Sequence, residues 1–120
     1  MPNVIVLDDE EDLSQMVSIA LGQRGLTVLS ALAAEEFYAL LQSIKPDAIL
    51  MDIYLGAKDG REICRQLKAD ILYNTVPVLL YSAGNISKES IRDSLANDFM
   101  PKPFNITDLA DRLYQLINGK

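Results

Sequence analysis

The chain has 120 residues, 49% of them apolar, with seventeen acidic against eleven basic side chains, a formal charge of −6 and no histidine. That length fits one domain, residues 1–120, with a substantial core, and no apolar run is long enough to span a bilayer. The missing histidine removes Ser-His-Asp hydrolysis, most zinc chemistry and histidine phosphotransfer, and an acidic chain with no basic stripe argues against direct nucleic-acid or membrane binding.

The first residues, Met-Pro-Asn, carry no basic leader, and the chain does not read as beginning with a signal peptide. Val4 to Leu7 is a near-continuous apolar run, the pattern of a strand covered on both faces. Leu13, Met16, Val17, Ala20 and Leu21 recur at helical spacing, and Gly22 and Gly25 stop that helix. Leu26 to Leu29 reads as a second strand, followed by a helix carrying Phe37, Leu40, Leu41 and Ile44. Pro46-Asp47 turns the chain into a third strand, Ala48 to Met51. A third helix fits Ile63, Leu67 and Ile71; its Cys64, alone in the chain, excludes an internal disulfide and fits the reducing cytoplasm. Val76 to Tyr81 makes a fourth strand, with Pro77 tolerable near its start if no ladder hydrogen bond is required there. Ser87 has the character of an N-cap, with Ile86 and Ile91 spaced as a hydrophobic staple. Asp98 to Met100 is a brief fifth strand, ended by Pro101-Lys102-Pro103. A last helix opened by Asn105 presents Ile106, Leu109, Ala110, Leu113, Leu116 and Ile117 on one face.

Five strand–helix units in so short a chain imply an α/β fold, a doubly wound parallel sheet with helices on both faces. Function in such sheets gathers at the carboxyl ends of the strands. There the sequence places Asp8-Asp9-Glu10 after the first strand, Asp52 after the third, Ser82 after the fourth and Lys102 after the fifth. Singly, each has a plain reading: a helix-capping acid, a turn residue, a loop serine, a surface lysine. Together they supply what one chemistry needs. Clustered carboxylates repel unless a cation joins them, and oxygen-only ligands select a hard ion, Mg²⁺ in the first place and Mn²⁺ as a substitute. One carboxylate is then a nucleophile toward phosphorus, a lysine offsets developing charge, and a hydroxyl bonds the transferred group.

Four segments, Val-Leu-Asp-Asp-Glu (6–10), Met-Asp-Ile-Tyr-Leu-Gly-Ala-Lys-Asp-Gly (51–60), Val-Leu-Leu-Tyr-Ser-Ala (78–83) and Lys-Pro-Phe (102–104), occur in the order found in receiver domains of two-component response regulators. The chain resembles that family over its whole length. The resemblance implies the flavodoxin-like or CheY-like strand order 2-1-3-4-5, and a phosphorylation switch that accepts its phosphoryl group on Asp52 with Mg²⁺. It implies that Asp9 ligates the ion directly, that Asp8 acts through water, and that the backbone carbonyl of Tyr54 completes the shell. Ser82 and Lys102 contact the phosphoryl group, Phe99 is the aromatic switch, and the Lys102–Pro103 bond is cis. The implied partners are a sensor histidine kinase or histidine phosphotransfer protein and a downstream target or output domain. Outputs and dimerisation would use the face of the fourth helix, fifth strand and fifth helix. Such a domain is no metabolic enzyme, catalysing only its own phosphorylation and dephosphorylation.

Gly56 stands where many members carry proline, Tyr54 is bulky beside the phosphoryl position, and the stretch from Ser82 to Lys102 is short for the family. The alternatives are an unphosphorylated docking module, a phosphatase with an aspartyl nucleophile, and an FMN binder. The docking module is disfavoured because the acidic residues, acceptor and lysine are all present. The phosphatase lacks a second aspartate at position 54, and the FMN binder lacks a Ser/Thr/Gly-rich loop after the first strand.

Overall fold

The computed structural model describes residues 1–119. Strand β1 (Asn3–Leu7) lies between β2 (Thr27–Ala31) and β3 (Ala48–Asp52), and β4 (Val78–Ser82) and β5 (Asp98–Pro101) continue the sheet. The order is β2-β1-β3-β4-β5 with every pairing parallel, as expected from the alternation of strands and helices. Register sets Leu7 beside Met51, Asp52 beside Tyr81 and Ser82 beside Pro101. A small antiparallel hairpin, Tyr54–Leu55 against Lys58–Asp59, projects beyond β3.

The apolar runs of β1, β3 and β4 follow from burial on both faces, since alternate residues enter opposite cores. Ile5, Leu7, Ile49, Met51, Val78 and Leu80 face one core with Phe37 and Leu41 of helix α2 (Ala34–Ser43) and Ile63, Cys64 and Leu67 of α3 (Gly60–Lys68). Val4, Val6, Leu50, Leu79 and Tyr81 face the other, against Val17 and Leu21 of α1 (Glu11–Gly22) and Leu109, Ala110 and Leu113 of α5 (Ile106–Asn118). At a position such as Leu50, truncation to alanine leaves a cavity costing about 2–5 kcal/mol.

Caps set several helix starts. Asp59 accepts from Arg61 N–H at 2.8 Å to open α3, and Asn105 accepts from Thr107 N–H at 2.8 Å to open α5. Ser87 caps α4 (Lys88–Ser94) by accepting from Ser90 N–H at 3.1 Å, and both Ile86 and Ile91 pack on the core beside it. That helix has only seven residues and stops at Leu95, which takes φ 66°.

Several details differ from the sequence pattern, beginning with β2, which runs Thr27–Ala31 rather than Leu26 to Leu29. Helix α3 ends at Lys68 and Ile71 is exposed, because Asp70 Oδ1 takes the Leu72 N–H at 2.9 Å and turns the chain instead. Met16 lies on the exposed side of α1. β4 begins one residue after Pro77, which joins through its carbonyl alone, accepting the Ile49 N–H at 2.9 Å, so its missing N–H is not needed there. Gly56 forms the hairpin turn at φ 62°, a conformation closed to proline, which accounts for a glycine at this position.

Candidate functional site

Asp8 directly follows β1 and Asp52 ends β3, so the pairing of those strands sets the two acids side by side where the chain reverses direction across the sheet. Both are buried, and each of their oxygens receives a donor. Asp8 Oδ1 accepts the Glu10 N–H at 2.9 Å and Oδ2 accepts the Tyr81 hydroxyl. Asp52 Oδ1 accepts the Tyr54 N–H at 3.3 Å and Oδ2 accepts Lys102 Nζ at 3.1 Å. Nζ also stands 3.5 Å from Asp8 and 3.4 Å from Glu10, and 4.5 Å from the centre of the Tyr81 ring.

The backbone beneath Asp52 is held just as closely. Gly60 N–H donates to the Ile53 carbonyl at 2.7 Å, and a Cβ at Gly60 would stand 2.2 Å from the Asp52 carbonyl oxygen. Only glycine permits that approach. The Lys102–Pro103 peptide is cis, as the resemblance implies, and Lys102 N–H donates to the Ser82 carbonyl at 2.8 Å.

Burial raises the Asp52 carboxyl above the ordinary aspartate range; the Lys102 hydrogen bond and charge oppose that, Asp8 adds to it, and the Tyr54 N–H lowers it. Burial alone would depress the Lys102 ammonium, but the hydrogen bond to Asp52 and the charges of Asp8, Asp52 and Glu10 outweigh it and raise the pKa. Lys102 is therefore a fixed cation among acids.

Oxygens of Asp8, Glu10 and Asp52 all lie within 4.8 Å of one another. Three carboxylates with one ammonium leave local negative charge, and no His or Cys joins the group. The donor set fits a hard divalent cation. Asp9 stands outside that trio; it is exposed, and no hydrogen bond or ion pair of its side chain is found among the described residues.

Ser82 is fully buried at the end of β4, and its Oγ accepts the Gly84 N–H at 3.2 Å. The Tyr54 side chain is exposed and lies over Gly84, where a Cβ would come within 3.2 Å of its ring. Phe99, half-buried on β5 next to Leu80, packs against the core shared by α2 and α3. Asp8, Asp52, Tyr54, Ser82 and Lys102 thus meet at one rim, while Phe99 lies three residues before the lysine on the neighbouring strand.

The motif reading places Glu10 among the clustered acids but not its contact with Lys102, and it gives Tyr81 no role. The signal for Tyr81 was a phenol at the end of the aliphatic run Val78-Leu79-Leu80, since a hydroxyl buried that deeply needs a polar partner.

Comparison with known proteins gives a consistent picture. The model of the response regulator receiver domain matches residues 4–114. The chain is 32% identical over 119 residues to the DNA-binding dual master transcriptional regulator RpaA of Synechocystis sp., covering 98% of this chain and 49% of that protein. It is 31% identical over 112 residues to the phosphate regulon transcriptional regulatory protein PhoB of Pseudomonas aeruginosa, covering 92% of this chain and 49% of that one. It therefore spans about half the length of these curated relatives. Among solved structures, the chemotaxis response regulator CheY4 of Vibrio cholerae superposes with a TM-score of 0.88 at 26% identity, covering 97% of this chain and 98% of that chain.

Proposed function

Because the chain belongs to the response regulator receiver domain family, we propose that it is a phosphorylation-dependent switch of a two-component phosphorelay, with Asp52 as the acceptor. The observation that carries this reading is the 3.1 Å contact of Lys102 Nζ with Asp52 Oδ2, inside a trio of carboxylates at the carboxyl rim of the sheet. A buried acid with a fixed ammonium on one oxygen is oriented as a nucleophile, and the same ammonium lies where a phosphoryl oxygen would need a counter-charge.

In the proposed transfer, an Asp52 oxygen forms a bond to phosphorus as the P–N bond of a phosphohistidine donor breaks, and the imidazole leaves. Lys102 stays protonated throughout and balances the added charge. Ser82 donates its hydroxyl to a phosphoryl oxygen once its loop moves inward. Tyr54, over Gly84, limits the approach of water and so sets how long the phosphoryl group survives. The domain promotes its own phosphorylation and hydrolysis and turns over no external metabolite.

Mg²⁺, with Mn²⁺ as a substitute, is the proposed ion, and when bound it supplies charge neutralisation between the attacking and transferred oxygens. Asp52, Asp9 and the Tyr54 carbonyl would hold it, with Asp8 acting through water. One observation supports a ligand role for Asp9: its exposed carboxylate carries no hydrogen bond or ion pair among the described residues.

The proposed donor is a histidine kinase or phosphotransfer protein. An apolar groove of about 300 Å³ beside the site, lined by Leu13, Met16, Ala83, Lys102, Pro103 and Phe104, gives it an adjacent surface. The proposed output is a downstream protein or output domain engaging α4, β5 and α5, a face that would also serve a homodimer.

Incubation with acetyl phosphate and Mg²⁺ tests the reading by intact mass. One added phosphoryl group that disappears in Asp52→Asn is expected. Equal labelling of parent and variant would move the acceptor elsewhere, and no labelling of the parent would favour a docking module that never carries phosphate.

A further inference from the structure

Tyr81 is buried completely at the end of β4, and its hydroxyl reaches across the sheet to Asp8 Oδ2, 73 residues away. Its ring lies under Lys102 at 4.5 Å and meets Phe104 at 5.6 Å between centroids. One side chain thus touches the acid after β1, the cation after β5 and the aromatic ring that follows it. Burial, then the charge of Asp8 and the hydrogen bond to it, keep the phenol protonated. The hydroxyl is a permanent donor.

Lys102 Nζ sits 3.1 Å from Asp52 Oδ2, 3.4 Å from Glu10 and 3.5 Å from Asp8 Oδ2, so three carboxylates compete for one ammonium, the two buried ones being Asp8 and Asp52. The Tyr81 hydroxyl already satisfies the Asp8 oxygen that Lys102 would otherwise take. We infer that Tyr81 is a positioning residue of this pocket: its hydroxyl occupies Asp8, and its ring supports Lys102, so that the ammonium is directed at Asp52. The inference rests on the proposed role of Asp52 for its functional meaning, but not for its geometry.

Three consequences follow from charge. Without the hydroxyl, Asp8 Oδ2 regains an unpaired charge and draws Lys102 away from Asp52. A phosphoryl group on Asp52 then loses its ammonium partner. A divalent cation loses nothing, because the hydroxyl is neutral and its removal frees an Asp8 oxygen without changing the charge of the pocket. A residue that merely fills the core would instead lower ion and phosphoryl affinity together when altered.

The test is Tyr81→Phe, which keeps the ring over which Lys102 lies. Its metal-free crystal structure should show Nζ nearest Asp8 rather than Asp52; Nζ unmoved on Asp52 would overturn the inference whatever the domain's function proves to be. In solution, Mn²⁺ affinity read by electron paramagnetic resonance should hold or tighten, while affinity for beryllofluoride, a phosphoryl analogue, should fall about tenfold, the lower range for loss of a hydrogen bond to a charged group. Loss of both affinities together, or of neither, would overturn it. If the parent itself fails to bind beryllofluoride, the functional reading fails, and the position of Nζ still decides the role of Tyr81. Should Tyr81→Phe not fold, 3-fluorotyrosine at position 81, nearly isosteric and a stronger donor, should shift beryllofluoride affinity upward; an unchanged or lower affinity would count against the positioning role.

Discussion

Gly60 presses so closely on the backbone of Asp52 that a methyl group there would lie 2.2 Å from the Asp52 carbonyl oxygen. The contact is with backbone, so no rotamer change relieves it. Gly60→Ala should cost roughly 2–3 kcal/mol, as for overpacking of a tight site. It should also displace Asp52 from Lys102 and reduce any Mg²⁺-dependent gain in stability. Urea unfolding with and without Mg²⁺ measures both; a variant as stable as the parent would show that the hairpin absorbs the shift.

Asp52 is the second case. Its carboxyl is raised above the ordinary aspartate range, burial being the largest cause. A raised acid favours folding below its unfolded pKa, and that contribution is lost as pH rises through the folded value. At neutral pH the charged form is therefore a cost in the metal-free protein. Asp52→Asn should raise metal-free stability at pH 7, with the advantage shrinking as the solution is acidified into the carboxylate range. A constant difference at all pH values would contradict the sign of the shift.

Divalent ions give a third test. Mg²⁺ at millimolar concentration should raise the melting temperature of the parent by mass action. Asp9→Asn should abolish most of that gain, because Asp9 has uncommitted oxygens. Glu10→Gln should raise metal-free stability slightly and keep most of it. If Glu10→Gln rather than Asp9→Asn removes the gain, the trio of Asp8, Glu10 and Asp52 is itself the ion's ligand set.

The switch prediction concerns Ser82 and Phe99. Movement of the Ser82 loop toward a phosphoryl group vacates space that Phe99, on the adjacent strand, is placed to enter. Beryllofluoride should shift NMR signals from Ser82 through Phe99 and along α5, leaving Val28 on β2 nearly unchanged. Ser82→Ala should still accept phosphate yet lose much of the Phe99 response. A single Phe99 rotamer in both states would break the proposed coupling.

Leu95 supplies the last prediction. It holds φ 66° at the end of α4 while 56% exposed, so its side chain gains little from burial. A left-handed conformation costs a residue with a Cβ about 1 kcal/mol relative to glycine. Leu95→Gly should stabilise the domain by roughly that amount in thermal unfolding, offset in part by glycine's freer unfolded chain. A net loss would mean that Leu95 makes contacts worth more than the strain.

Much of this was legible in the residues. The two-sided apolar runs of β1, β3 and β4 dictate a covered parallel sheet, and the acids at their ends then have one place to go. Ser87 and Asn105 announced their caps. What the sequence hid depends on competition between partners. Ile71 fits the periodicity of α3, but the Asp70 side chain captures the next backbone donor and ends the helix early. Met16 fits the stripe of α1 yet faces the groove beside Lys102. Tyr81 reads as one more apolar residue of β4 until the pairing of β1 with β3 and β3 with β4 carries it to Asp8. Motif spacing names ligands, whereas the side chains that hold those ligands come from register.

The cation of the pocket follows β5, and β5 is an edge strand, paired on one side alone to β4. Asp8 and Asp52, by contrast, follow the interior strands β1 and β3. Local opening occurs below the free energy of global unfolding, soonest where contacts are fewest. A chain that has docked its central strands but not its edge would therefore hold the acids without their counter-charge, and pairing Lys102 with Asp52 must close a span of 50 residues. In the proposed switch, competence to accept a phosphoryl group would therefore require β5 to be docked, and labelling would report on the intactness of the whole sheet.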